Sequence, residues 1–215
     1  TGTGCKKIAV FSGSGRIAIS CNGSAPSSDN YMCQAFPKTA WGKTFLTVPT
    51  GGGNSNNIFR ICVQDPTTGV RVNGNPIAVP LQGGFYYELP ASPTLYKIEA
   101  DKPVMVAQYI PSQGQCGNSS PIGDPEVIYL SPVEQNISKV LWNATSNFAI
   151  TQHFFNVVIP NSGTAISSFK LDGNPISPAS FSAFPPDPTF SFLVQSVSAG
   201  QHIIQSDSGF NAIAY

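Results

Sequence analysis

The sequence predicts an all-β protein, with two tandem, related β-sandwich (jelly-roll-like) modules behind an N-terminal β-hairpin. Three observations carry this. The hexapeptide Val72-Asn73-Gly74-Asn75-Pro76-Ile77 recurs as Leu171-Asp172-Gly173-Asn174-Pro175-Ile176, with four of six residues identical. The 20 Gly and 19 Pro break the chain into short runs rich in Val, Ile, Phe, Tyr and Thr, the signature of short strands joined by turns. No segment sustains helical periodicity beyond a turn or two.

The repeat extends past the hexapeptide. Phe45-Leu46-Thr47-Val48-Pro49 has an echo in Phe155 to Pro160, and Tyr96 to Tyr109 has one in His202 to Tyr215. The offsets drift from 111 (Pro49 to Pro160) through 99 (Gly74 to Gly173) to 106 (Tyr109 to Tyr215), as loops of unequal length would cause. Self-similarity on this scale marks duplicated structural units too large for a solenoid. The chain divides accordingly into a hairpin and loop over 1–40, a first module over 41–125 and a second over 126–215.

In chain order, Lys6 to Ser20 reads as strand, Ser12-Gly13-Ser14-Gly15 turn, strand. Facing residues of an antiparallel hairpin share one index sum; for Cys5 and Cys21 it is 26, which centres the hairpin on Gly13 and sets the two thiols opposite each other. Strands are expected over Lys7 to Phe11, Ile58 to Gln64, Phe85 to Glu88 and Val104 to Ile110. Others follow over Val127 to Leu130, Phe154 to Ile159, Phe190 to Gln195 and Phe210 to Tyr215. Asn73-Gly74 and Asp172-Gly173 signal hairpin turns, because a type I′ turn needs positive φ at both central residues. Ser131-Pro132-Val133-Glu134 has the form of a capping box opening one helical turn. Asp101 and Asp207, in equivalent positions, read as turn residues bonding their own backbone.

Of the remaining cysteines, Cys33 and Cys116 lie in loop-like polar surroundings and make the second pair. Cys62 sits inside a strand as a small buried hydrophobe, and an odd total of five leaves at least one thiol free or intermolecular. Two disulfides on a polar surface with 10% charged residues favour an exported protein. The formal net charge of +0, with no Lys/Arg cluster, excludes the electrostatic footprint of a nucleic-acid binder or peripheral membrane protein. No apolar run approaches the ~20 residues of a membrane helix. The chain opens at Thr1 without Met or a signal peptide, as expected of a mature or excised segment.

A catalytic constellation is hard to assemble. The only histidines are His153, at the head of a strand, and His202, at the repeat position of Tyr96, which points to packing. Gly42-Lys43-Thr44 resembles the tail of a P-loop, but Pro37 stands where its first Gly is required. No zinc motif and no nucleophile elbow occurs, so neither metal nor cofactor is expected. Asp124 and Glu126 flank Pro125, a turn context more than a catalytic pair. A binding surface of polar and aromatic loop residues is the better expectation. It rests on Asp29, Tyr31 and Trp41 in one irregular stretch (Asp29 to Trp41) and Asp124 and Glu126 in another (Gln113 to Glu126), with Cys33–Cys116 tying the two. Sequons at Asn22, Asn118, Asn136 and Asn143 matter only where the host glycosylates asparagine.

Lys7-Ile8-Ala9-Val10-Phe11-Ser12-Gly13, Ser27 to Tyr31, Trp41 to Phe45, Asp101 to Tyr109, Gly123-Asp124-Pro125, Gly200-Gln201-His202 and Ser206 to Phe210 follow one another in order. With them the whole chain resembles the N-terminal domain family of the IgG Fc-binding protein. That resemblance implies a domain found in a mucin-associated animal protein and in large bacterial surface proteins, many similar to gliding-associated or adhesin-like proteins exported by the type IX system. The chain looks similar to the bacterial branch. The resemblance implies no enzymatic activity, and supplies no binding residues position by position. The expected function is a non-catalytic extracellular binding or adhesion module of a larger cell-surface or secreted protein. It would act as a monomer within a longer chain and take an extracellular protein or glycan ligand. The alternative is a carbohydrate-binding or spacer module attached to a secreted carbohydrate-active enzyme, and the plainest reading is a structural stalk.

Overall fold

The computed structural model describes residues 8–23, 25–121 and 123–215. Strands occupy half of the chain and helical turns a twentieth, so the packing rests on sheets. The first strands are β1 (Phe11–Ile17), β2 (Asp29–Gln34), β3 (Gly42–Thr47), β4 (Asn57–Val63), β5 (Val70–Val72) and β6 (Asn75–Pro76). β7 (Tyr86–Ser92), β8 (Tyr96–Ile110), β9 (Glu126–Tyr129), β10 (Ile137–Ala144) and β11 (His153–Pro160) follow. β12 (Lys170–Leu171), β13 (Asn174–Pro175), β14 (Ser182–Ala183), β15 (Phe190–Val197) and β16 (Gly200–Ala214) complete them.

Two curled sheets, each a half-barrel, hold all but β1 and β2. The first runs β6-β5-β8-β4-β7, with β3 and β9 also on β8. The second runs β13-β12-β16-β11-β15-β14, with β10 on β16. The curl follows from the 15-residue central strands. In β8, Tyr96 to Glu99 pair with β3 and Ile98 to Ala100 with β5, while Val104 to Tyr109 pair with β4 and Ala107 to Ile110 with β9. In β16, Gly200 to Gln205 pair with β10 and Asn211 to Ala214 with β11. A strand that changes neighbours along its length carries its twist around the sheet and rolls it.

Asp101 and Asp207 sit at these handover points, inside continuous strands and not in the hairpin turns that their Asp-Lys-Pro and Asp-Ser-Gly contexts suggest. Each holds the segment leading into the next edge hairpin. Asp101 Oδ1 accepts from Gly69 N at 3.0 Å. Asp207 accepts from Ser168 Oγ at 2.7 Å and from Thr164 Oγ1. The Asn-Gly and Asp-Gly turns form as expected, with φ of 50° and 80° at Asn73 and Gly74 and 52° and 79° at Asp172 and Gly173. Their first residues clasp the central strand alike: Lys97 N donates to Asn73 Oδ1 and Ile203 N to Asp172 Oδ1, both at 2.8 Å.

Alternation along the strands fills two cores. In β4, Phe59, Ile61 and Val63 point inward to Phe45, Ile98 and Val104, while Arg60 and Cys62 face outward. In β11, Phe155, Val157 and Ile159 meet Phe169, Ile204 and Phe210. Each such side chain contributes about 1.5–3 kcal/mol when fully buried. A third cluster of Val48, Val158 and Phe184, backed by Leu46, Leu95 and Phe192, joins the halves. Lys97 adds a bridge between them, pairing with Glu99 and Asp187 at 3.1 Å each. Phe45 to Pro49 lies on and after β3, whereas Phe155 to Pro160 lies on β11, which pairs as β4 does. That echo therefore joins strands of different rank.

The N-terminal region departs from expectation. Ser12-Gly13-Ser14-Gly15 is not a turn: it runs extended within β1, paired with β2 from Phe11↔Gln34 to Ile17↔Asp29. Gly13 is required by proximity, since a Cβ there would lie 2.3 Å from Tyr31 O. The chain reverses instead between residues 17 and 29, which removes the register that would face Cys5 with Cys21. Cys21 is bonded to Cys116 across 95 residues, with Cα atoms 5.1 Å apart; Cys5 lies outside the described residues. The Cys33–Cys116 pairing is likewise replaced. Cys33 is free on β2 opposite Ser12, and Cys62 is free but only half-buried, its thiol pushed up by desolvation. The helical turn after Ser131 forms as Val133–Gln135, but no side chain caps it; Glu134 accepts from Lys43 N instead.

Candidate functional site

Between the two sheets the connection from β3 to β4 is fixed by buried amides. Asn57 Oδ1 accepts from Thr50 N at 2.8 Å and from Gln108 Nε2 at 2.7 Å. Asn156 Nδ2 donates to Val48 O and Pro49 O, each at 3.1 Å. These three amide side chains are almost fully buried, and they satisfy backbone that no strand partner reaches. Tyr215 closes the arrangement, accepting from Gly51 N at 2.6 Å and donating to Asn156 Oδ1 at 2.9 Å. Burial pushes its phenol up to about 12, against the opposing pull of those hydrogen bonds. Its ring stacks on Phe154 at 5.8 Å between centroids.

Above this floor opens a cleft of about 460 Å³. Residues 50–54 form one wall, residues 149–152 another, and the third carries Asp29, Asp124 and Glu126. Two segments that supply those carboxylates are clamped together. Cys21–Cys116 is the covalent link. Around it Ile19 N donates to Ser112 Oγ at 2.9 Å, Gln113 N to Ser27 Oγ at 2.9 Å, and Ser27 Oγ to Gly123 O at 3.2 Å. A clamp of this kind is what the Cys33–Cys116 expectation assigned to these segments, delivered by a different cysteine.

Three of the five residues singled out from the sequence thus meet in one cleft, whose lining contains no Lys, Arg or His. Among the described residues none of the three carboxylates has a salt-bridge partner. Glu126 is raised above the usual carboxylate range, chiefly by loss of solvent around it and also by the negative charge of Asp29, while the Val127 N–H opposes the shift. Asp29 is on strand β2 rather than in an irregular loop. Tyr31 and Trp41 lie elsewhere. Tyr31 hydrogen-bonds Tyr129 through the two hydroxyls at 2.7 Å, and Phe36 packs on the same Tyr129 ring at 5.4 Å. Trp41 is half-buried at the entry to β3, and its indole N–H has no partner among the described residues.

Phe154, Asn156 and Tyr215 were not legible as site residues, since they read as ordinary strand positions. The usable signal was Tyr215 itself, a phenol closing an apolar strand and needing a polar partner. Both histidines are buried in the second sheet. His202 packs at a tilt against Trp142, 5.3 Å between ring centroids, with Nδ1 2.8 Å from Asp172 Oδ2 and Nε2 2.8 Å from Ser198 O. It is held as a packing and hydrogen-bonding group, and neither histidine lines the cleft.

No helix among the described residues is long and apolar enough to cross a membrane. A family model described as IgGFc binding protein matches residues 3–215. No curated protein and no solved structure matches the chain.

Proposed function

We propose that this chain, which belongs to the IgGFc binding protein family, is a non-catalytic adhesion module of a larger surface or secreted protein that grips a protein partner in the carboxylate-lined cleft. The family points to an extracellular binding domain, and the disulfide is consistent with an oxidising compartment. The observation that carries the reading is the convergence of Asp29, Asp124 and Glu126 above a fixed aromatic floor. Three carboxylates without cationic neighbours favour a partner that brings positive charge, and a preordered floor lowers the ordering cost of binding. The lining holds no histidine or thiol, and Tyr215 has its hydroxyl engaged on both sides, so the three carboxylates are the groups whose part in binding or turnover the test must separate.

We also read the halves as one duplicated unit, each a rolled, sandwich-like module. Supporting this, β3, β4, β5, β6, β7 and β8 pair with one another as β10, β11, β12, β13, β15 and β16 do. On that reading the first unit extends through β9, past the boundary at residue 126, because β9 pairs with β8.

Surface plasmon resonance on the immobilised chain, with IgG Fc fragment as analyte, tests the function. Saturable binding that falls at least about tenfold in Asp29→Asn/Asp124→Asn/Glu126→Gln supports it, a change equivalent to about 1.4 kcal/mol. Binding indifferent to the triple substitution, or turnover in a glycosidase, protease and esterase screen that the substitution abolishes, overturns it.

A further inference from the structure

We propose that the groove between the β1–β2 connection and the outer face of the first sheet is a second binding site, for a neutral saccharide. It shares no lining residue with the carboxylate cleft and encloses about 410 Å³. Its centre is Arg60 on β4. The guanidinium lies 4.8 Å from the centroids of both Tyr86 and Tyr109, and its Nε donates to Glu88 Oε2 at 2.5 Å. Held between two rings and a carboxylate, Arg60 spends little rotamer entropy when a ligand arrives.

The chemistry on offer is specific. A guanidinium has five N–H donors, and the hydrogen bonds here engage Nε and, at 3.4 Å, Nη1 to Tyr109 Oη. Glu88 presents acceptors immediately beside the remaining donors. A donor and an acceptor side by side match two neighbouring sugar hydroxyls, one accepting and the other donating. Arg60 and Glu88 are 38% and 30% exposed, so solvent and ligand reach both. Tyr31 and Tyr109 line the same groove and offer ring surface to the C–H faces of a pyranose. The only ionised pair in the lining cancels, which favours a neutral ligand over an acidic or basic one. A concave volume of this size suits a mono- or disaccharide better than a protein partner, whose interfaces are broad.

The test is saturation-transfer NMR and calorimetry on the intact chain, using the methyl glycosides of glucose, galactose, mannose and N-acetylglucosamine, with glucuronic acid as the charged comparison. At least one neutral glycoside should bind with Kd on the order of 1 mM. Tyr109→Ala and Glu88→Gln should each weaken it at least tenfold, whereas Tyr109→Phe, which keeps the ring, should stay within about threefold. Because Tyr109→Ala could disturb the sheet, Glu88→Gln at the surface gives an independent reading. The Asp29→Asn/Asp124→Asn/Glu126→Gln protein should bind saccharide as before, which separates this site from the cleft. The proposal falls if no neutral glycoside binds, if glucuronic acid binds more tightly than all of them, or if Glu88→Gln and Tyr109→Ala bind like the parent.

Discussion

Raising the pH from 5.5 to 8.5 should loosen the second sheet through His202. The ring is 7% exposed and both nitrogens face acceptors at 2.8 Å, Asp172 Oδ2 on one side and Ser198 O on the other. Only the imidazolium can donate to both. Burial works against the charged ring, but the bonds to Asp172 and Ser198 outweigh it and raise the His202 pKa above its ordinary value; Asp172 is correspondingly lowered, first by its bond to His202. A raised histidine stabilises fully below its unfolded pKa of about 6.5, and that stabilisation is lost as pH climbs through the folded value. For Asp172 the sign reverses, its contribution disappearing only in acid, well outside this window. Deprotonation forfeits one charge-assisted hydrogen bond, a loss of about 1.5–3 kcal/mol. The Asp172 side chain is 39% exposed, so water replaces part of the interaction and about 1.5 kcal/mol is the fitting figure. For a chain of this size that is a Tm difference of roughly 3–6 °C. Calorimetric melts of the parent and His202→Gln across the pH range isolate the effect, because other titrations cancel in the difference. The gap between the two proteins should narrow as pH rises. A gap that is constant, or that widens, refutes the reasoning.

Removing the Cys21–Cys116 bond by the double serine substitution should cost about 2–4 kcal/mol. Hydrogen exchange should accelerate around Ile19 and Ser112 while β4 stays protected; uniform acceleration would contradict a local clamp. Gly74→Ala and Gly173→Ala each force a side chain into positive φ and should lower stability by about 1–2 kcal/mol, to a similar extent in each hairpin. Chemical denaturation of the two variants checks this, and a neutral effect at either glycine would contradict the turn assignment.

The strands that were plain in the sequence are those with inward apolar alternation, such as β4 and β11, and the turns that were plain are those needing two positive φ values. The expected turn at Ser12 to Gly15 failed for a physical reason. Glycine permits a turn without requiring one, and here its missing side chain serves close approach to Tyr31. Asp101 and Asp207 misled in a related way: carboxylates that cap a neighbouring segment look locally like turn residues. β10 has no legible alternation, because Ile137, Lys139 and Leu141 are all exposed and mix apolar with charged residues. The Cys21–Cys116 link joins segments far apart in the chain, and no local register could reveal it. In the cleft, Asp29, Asp124 and Glu126 were legible as polar residues of exposed segments. Phe154, Asn156 and Tyr215 become site residues only once the two sheets meet.

The two candidate sites share a structural origin in the tyrosines that close the long central strands. Tyr109 stands opposite Ile58 on β4, and Tyr215 exchanges backbone bonds with Phe154 on β11, the same register relative to Phe59 and Phe155. In the first sheet β9 adds a strand beside Tyr109, whose ring then packs against Arg60 on the outer face. In the second sheet Tyr215 instead stacks on Phe154 and reaches the connection from β3 to β4. On the duplication proposed above, equivalent tyrosines line the proposed saccharide groove in one half and floor the carboxylate cleft in the other. The difference lies in what the neighbouring strand supplies: Arg60 with Glu88 across the pair in the first, Asn156 with the glycine turn at residues 51–52 in the second. The two linings share no side chain, so on the proposed readings a ligand in one leaves the other free.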